Sequence, residues 1–359
     1  MRRRRILRRA GAVAVLACVL PMGAHGRPAP AQPPAPPPFA ISGPKSIDEA
    51  QFVAINGLDQ WLTIRGQDRT KPVVLILHSG PGGSQSHLIQ RMAPMEQDFV
   101  VVQWDQRGAG RTLAKAGGQV DPAVDLKTMV SDGLAVTDYL RRHLHRDRII
   151  LLGFSWGSRL GVEMAQARPS AYAAYVGTGQ AAAVQAVSDA WVYQRLLDRA
   201  AAAGDAKGLA DLREAGPPPW SPQAGQQAYR ASAAYRGPEL SLAESAKAAF
   251  SAPYWTTADV QALARGRSAY KATQLERDLL VFDPATFGQA LTVPVIVIDG
   301  EDDLTTPAPL AAKWLAGLKT KRTAFAVLPG AGHQALITHN AAFSALLKGK
   351  LKALRVRAN

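Results

Sequence analysis

Cysteine is almost absent from this chain of 359 residues: there is one, Cys18. It lies inside an N-terminal segment read below as a removable leader, so the mature protein is expected to hold none. Disulfides, a thiol nucleophile and thiolate metal sites are thereby excluded, and neither a metal nor a cofactor is expected. Long apolar runs are missing as well. The run from Ala10 to Leu20 is too short to span a bilayer as a stable helix. No Gly-x-Gly-x-x-Gly fingerprint follows the early strands, and the glycine-rich loop after His78 lacks the Lys-Ser/Thr ending of a P-loop, which disfavours a dehydrogenase and a phosphate cradle. Internal repeats are absent. So are basic helices and RNA- or DNA-binding motifs, although the net charge is +14. Six arginines (Arg2, Arg3, Arg4, Arg5, Arg8 and Arg9) fall in the first nine residues, and without them the charge drops by six to +8, spread along the chain. That describes a basic soluble surface with no nucleic-acid partner.

What is present begins with an arginine-rich start, an apolar run and small residues before Arg27. Residues 1–26 are expected to be an export signal, with Ala24-His25-Gly26 as the cleavage site. Arg3-Arg4-Arg5-Ile6-Leu7-Arg8 resembles a twin-arginine motif, which any poly-arginine stretch imitates. Val15-Leu16-Ala17-Cys18 faintly resembles a lipoprotein box, but leucine before Ala17 fits it poorly, so a lipid anchor at Cys18 is the disfavoured alternative. Residues 27–45 are rich in proline and alanine and read as an extended tether. The expected location is the bacterial periplasm.

Folded structure is expected from about Ile47. Period-two runs flank Asn56-Gly57, a dipeptide that favours a tight hairpin turn. Val73 to Leu77, Phe99 to Trp104 and Ile149 to Leu152 are continuous apolar runs, the pattern of strands buried on both faces of a parallel sheet. Leu126, Met129, Val130, Leu134 and Leu140 repeat at helical spacing between the last two. Alternating strands and helices imply an α/β fold with a doubly wound, mostly parallel sheet. After Gly179 the pattern becomes helical and alanine-rich, and strands resume at Val293 to Ile298 and Thr323 to Leu328 before a helix from about Ala341 to Leu354. The expected organisation is a core over 46–179, a helical cap insertion over 180–288 and the rest of the core over 289–359.

The chemistry collects at strand ends. Gly153-Phe154-Ser155-Trp156-Gly157 joins a buried-type strand to a helix. Such a turn strains its central residue and needs small residues two places before and after it. A serine hydroxyl needs a base to take its proton and a third group to orient that base. His333 follows the strand Thr323 to Leu328, and Asp299, Glu301, Asp302 and Asp303 follow the strand before it. Strand carboxyl ends share one edge of a doubly wound sheet, so Ser155, an acid and His333 can converge. Asp303 is favoured as the acid, with Asp302 the main rival. The backbone N–H groups of Trp156 and Gly80 are the candidate oxyanion hole. The order Ser, Asp, His is that of α/β-hydrolases.

These residues resemble the proline iminopeptidase family of α/β-hydrolases. The resemblance rests on His78-Ser79-Gly80-Pro81-Gly82-Gly83, Asp105-Gln106-Arg107-Gly108-Ala109-Gly110-Arg111, Gly153 to Ser158, Gly300 to Asp303 with Pro307, and Gly332-His333. The family usually has glycine where Ser79 stands. It places its acid three residues after the strand-end glycine, which from Gly300 gives Asp303. The resemblance implies release of an N-terminal residue, often proline, from short peptides, with cap acids holding the free amine. This cap has acids (among them Asp189, Asp198, Asp211, Glu214, Glu239, Glu244, Glu276 and Asp278), but none of these sits in a matching motif and they read as solvated charges. The expected activity is thus a serine aminopeptidase acting on small or short-peptide substrates. An esterase with the same three residues, and a non-catalytic binding protein on the same scaffold, are the alternatives.

Overall fold

The computed structural model describes residues 41–283 and 285–358. The leader, Cys18 and most of the tether lie outside them. Eight strands form one sheet: β1 (Ile47–Ile55), β2 (Leu58–Gly66), β3 (Val73–Leu77), β4 (Val100–Asp105), β5 (Ile149–Phe154), β6 (Tyr172–Thr178), β7 (Val295–Gly300) and β8 (Thr323–Leu328). Their order is β1-β2-β4-β3-β5-β6-β7-β8. The β1–β2 hairpin turns at Asn56-Gly57, both in the left-handed region, and β2 pairs antiparallel to β4. From β4 to β8 every pairing is parallel.

Residue alternation along a central strand feeds two cores. Val73, Leu75 and Leu77 of β3 join one apolar cluster, with Met129, Val136, Leu160 and Tyr175. Val74 and Ile76 join the other, with Phe343 and Leu347. Helices therefore cover both faces, as parallel strands buried on both sides require. The helix Leu126–His143 shows how the sequence sets one of them. Asp125 caps its start by accepting the Thr128 N–H at 2.7 Å, and Arg141, Arg142 and His143 lie in its last turn, where the helix dipole favours cations. β8, like β1 at the opposite edge, departs from the buried pattern. It closes the sheet edge, and Val327 is exposed.

Between β6 and β7 the described residues hold six α-helices and no strand: Gln185–Ala202, Ala206–Ala215, Pro222–Ala231, Leu242–Ser251, Thr257–Ala269 and Gln274–Leu280. The first three share a small cluster of their own, built on Val192, Leu196, Ala200, Leu212 and Ala228. Strand order reverses between β3 and β5. That switch point is where open α/β sheets bind ligands, outside the carboxyl ends of the strands. The loop His78–Gly83 leaves β3 there, and Ser155 leaves β5 beside it.

Candidate active site

Ser155 lies between β5 and the helix Trp156–Ala167, at that helix's N-cap, with φ 56° and ψ −118°. Few side chains adopt this backbone region, and the surroundings hold it there. The Ser155 N–H donates to Thr178 O at 3.0 Å, and Ser155 O accepts the Ser158 N–H and Oγ–H at 2.8 and 2.6 Å. A Cβ on Gly153 would lie 2.4 Å from Gly157 O, and one on Gly157 only 2.0 Å from Leu77 O. Both flanking positions thus have room for glycine alone, the local demand that the sequence pattern expressed.

The other two predicted side chains meet Ser155 across the carboxyl edge of the sheet. His333 Nε2 is 3.0 Å from Ser155 Oγ, and His333 Nδ1 is 2.9 Å from Asp303 Oδ2. The imidazole packs on Phe154, with 5.1 Å between ring centroids. Asp303 is fixed by its own turn. Its Oδ1 accepts the Thr305 and Thr306 N–H groups at 2.8 Å each, and its Oδ2 accepts the Thr306 Oγ–H at 2.8 Å. Burial opposes charge on Asp303, but His333 and these donors overcome it and hold the carboxyl below its ordinary value. Burial likewise opposes charge on His333, and Asp303 overcomes it, raising the imidazole.

The remaining acids of this turn go elsewhere. Asp302 pairs with Arg199 of the helical segment, and Glu301 accepts the Gly330 N–H at 3.1 Å. Asp299 is fully buried and accepts the Gln180 N–H at 3.3 Å. Burial, then the nearby Asp303, push its carboxyl well above the usual range.

The loop His78–Gly83 lies against the serine turn, as the close approach of Gly157 to the Leu77 and His78 carbonyls shows. Its first residue is fixed in one tautomer. His78 Nδ1–H donates to Ser79 O at 2.7 Å, and Nε2 accepts the Gln106 N–H at 3.1 Å. Gln106 Oε1 in turn accepts the indole N–H of Trp156 at 2.9 Å. The N–H groups of Gly80 and Trp156 donate to no backbone acceptor among the described residues.

Sequence reading left the partners of the Asp105–Arg111 stretch unassigned. Asp105, fully buried with its carboxyl pushed up to about 6 by desolvation, accepts the Ser84 Oγ–H at 2.6 Å and the Arg111 N–H at 2.8 Å. Arg107 donates from Nε to Asp132 at 2.8 Å. Tyr270, just after the helix Thr257–Ala269, donates its hydroxyl to Arg107 O. The sequence presents Glu239 as a solvated charge. It sits in the loop before the helix Leu242–Ser251, pairs with Arg236 at 4.0 Å and adds, after Asp303, to the charge that raises the His333 imidazole against its burial. No group of three metal-ligating side chains occurs among the described residues, and no helix among them is long and apolar enough to cross a membrane.

A family model described as alpha/beta hydrolase fold matches residues 72–340. The probable aminopeptidase YbaC of Bacillus subtilis (strain 168) is 28% identical over 283 residues, which cover 77% of this chain and 87% of that protein. A probable proline iminopeptidase of Streptomyces coelicolor is 38% identical over 117 residues, covering 32% and 35%. Among solved structures, a proline iminopeptidase-related protein from Thermus thermophilus superposes with a TM-score of 0.55 at 24% identity, over 86% of this chain and 98% of that one. At that identity the likeness concerns the fold alone. A match across most of the chain, and a sheet that ends in these motifs in this order, lead to one assignment: the chain belongs to the α/β-hydrolase fold family, with aminopeptidase-like and proline iminopeptidase-like proteins among its relatives.

Proposed function

We propose that the protein is an exported serine aminopeptidase of proline iminopeptidase type, working through an acyl-enzyme. The observation that carries this is the relay from Ser155 Oγ through the His333 ring to Asp303, with 3.0 and 2.9 Å separations. Such a relay takes a proton from the hydroxyl as it attacks. Ser155 Oγ bonds to the carbonyl carbon of the substrate, and its proton passes to His333 Nε2. The oxygen of the tetrahedral intermediate receives the N–H groups of Gly80 and Trp156. Collapse breaks the carbon–nitrogen bond, and His333 gives its proton to the leaving amine. Water, activated by the same imidazole, then releases the acid and restores Ser155. Asp303 keeps Nδ1–H facing it and stabilises the imidazolium.

Peptidase rather than esterase action is supported by the relatives and by the acidic charge of Glu239, which pairs with Arg236 at 4.0 Å and adds, after Asp303, to the field that raises His333. A free α-ammonium on the substrate would find its counter-charge there. Purified mature protein, offered aminoacyl-arylamides with proline or alanine beside short-chain aryl esters, tests the reading. Amide turnover that vanishes in Ser155→Ala is expected. Ester turnover with no amide turnover would make it an esterase. Export rests on the leader pattern alone, and fractionation of expressing cells for periplasmic activity tests it.

A further inference from the structure

We propose that the cap helix Thr257–Ala269 takes part in the catalytic geometry: it pins the loop His78–Gly83, so that the Gly80 N–H stays where the oxyanion develops. Gly266 and the Arg111–Asp259 pair are the positioning residues. The proposal rests on the serine-hydrolase reading above.

Two independent ties carry it. The first is direct. A Cβ on Gly82 would lie 2.3 Å from Gly266 O, and one on Gly266 would lie 2.1 Å from Gly82 O. The two backbones are interlocked, with no space for a side chain on either. Glycine within a helix costs about 1 kcal/mol relative to alanine, so Gly266 is there against helix propensity and in answer to this approach. Gly82 is two residues from Gly80, and the loop is folded tightly on itself: a Cβ on Gly80 would meet Gly82 N at 2.5 Å and Gly83 N at 2.7 Å. Displacement of Gly82 therefore moves Gly80.

The second tie runs through side chains. Asp259, on the same helix, pairs with Arg111 Nε at 3.2 Å, and both groups are largely buried. The Arg111 guanidinium lies 3.8 Å from the Trp61 ring centroid, which fixes its plane. The Arg111 N–H donates to one Asp105 oxygen, and the other accepts the Ser84 hydroxyl proton. Ser84 follows Gly83. The cap thus holds the loop at Gly82 by backbone contact and just past Gly83 by a chain of charged and hydrogen-bonded groups. A cap that only walled the substrate pocket would have no need of either. Oxyanion donors act by being preorganised, and an error of about 1 Å costs about a hundredfold in rate.

The test compares wild type, Gly266→Ala and Asp259→Asn on the best arylamide or ester substrate, with rates expressed per Ser155 titrated by a fluorophosphonate. Gly266→Ala is expected to lower kcat at least about tenfold while KM stays within about twofold. Its affinity for an aminoacyl trifluoromethyl ketone, whose Ser155 adduct carries an oxyanion, should fall by the same factor. Asp259→Asn keeps an oxygen for the helix cap at Thr256 and removes the charge facing Arg111. It should show the same signature at about three- to tenfold, and it decides alone if Gly266→Ala does not fold. The pH profile of kcat should keep its midpoint in both, because the His333–Asp303 contact is untouched. A rise in KM with kcat unchanged, or kcat per titrated site within twofold of wild type, overturns the proposal. A wild type that neither labels nor turns over acyl substrates would instead overturn the hydrolase reading itself.

Discussion

Asp303 presents Oδ2 to His333 Nδ1 at 2.9 Å, while its neighbour in sequence, Asp302, turns to the cap and pairs with Arg199. Two adjacent residues of identical chemistry thereby have opposite duties. Asp303→Asn removes the charge that stabilises the imidazolium and permits the wrong tautomer. It is expected to lower turnover by about 10^3- to 10^4-fold. Asp302→Asn should leave turnover per titrated Ser155 within about threefold and reduce stability by up to about 1 kcal/mol, the scale of a partly exposed ion pair. Rates per titrated site and urea midpoints measure the two effects. The reverse ranking would make Asp302, in place of Asp303, the acid of the proposed triad.

On the proposed mechanism, the raised imidazole of His333 sets the pH dependence. Attack requires His333 neutral. Burial alone would lower its value from 6.5, but Asp303 raises it above that, so kcat/KM should climb through an acid limb centred above pH 6.5, and Asp303→Asn should shift the limb downward. Stability follows by linkage. The folded state holds the His333 proton more tightly than the unfolded chain, so this contribution is present below 6.5 and lost as pH rises through the raised value. Asp303 works in the other direction: its contribution is present above 3.8 and lost as pH falls through its lowered value. A kcat/KM profile over roughly pH 5 to 9 checks the first part. A limb centred below 6.5 would refute it.

The parts of this site that could be read from sequence are those written locally. Ser155 needs small neighbours within two residues, and β3 and β5, the strands that lead to His78 and Ser155, show as apolar runs. The direction of Asp303 depends on a turn in which Thr305 and Thr306 donate to its carboxylate, so residue type alone could not separate it from Asp302. Asp259 has no legible role in the sequence because its partner lies far along the chain. Asp259 meets Arg111 across 148 residues. The helix carrying it buries Asp259, Ala262 and Gly266, so its packing face is made of small and charged groups and leaves little apolar periodicity. The position of β4 between β2 and β3 was equally hidden, since the strand run is the same on either side.

Strain at Ser155 gives a prediction about stability and function together. Its φ of 56° is held by the packing of Gly153 and Gly157 on their neighbours. Ser155→Ala keeps a Cβ in that backbone region, whereas Ser155→Gly relieves it. Both should abolish turnover, yet the glycine variant should be more stable than the alanine variant by about 1 kcal/mol. Urea midpoints of the two variants, measured side by side, decide this. Equal midpoints would mean that the turn holds no strain energy that glycine can release.

Two histidines other than His333 should govern acid stability. His87 is buried against the helix Leu242–Ser251 and the turn after it. Its Nε2 bonds Ser245 Oγ at 2.9 Å, and its ring packs edge-on against Trp255 at 5.0 Å. Desolvation lowers it from 6.5 to about 4, and His78 is lowered equally for the same reason. In the unfolded chain both take up protons near 6.5. Between 6.5 and about 4 the unfolded state therefore binds more protons than the folded one, and stability falls as pH falls. The loss approaches about 3 kcal/mol for each histidine at the acid end of that window. His87→Gln retains a group that can reach Ser245 and removes one titration. It should cut the drop in urea midpoint between about pH 7 and 4.5 by about half, and His78 supplies the remainder. A drop as steep in His87→Gln as in wild type would show that His87 is free to charge in the folded protein, and that the cap does not exclude water from it.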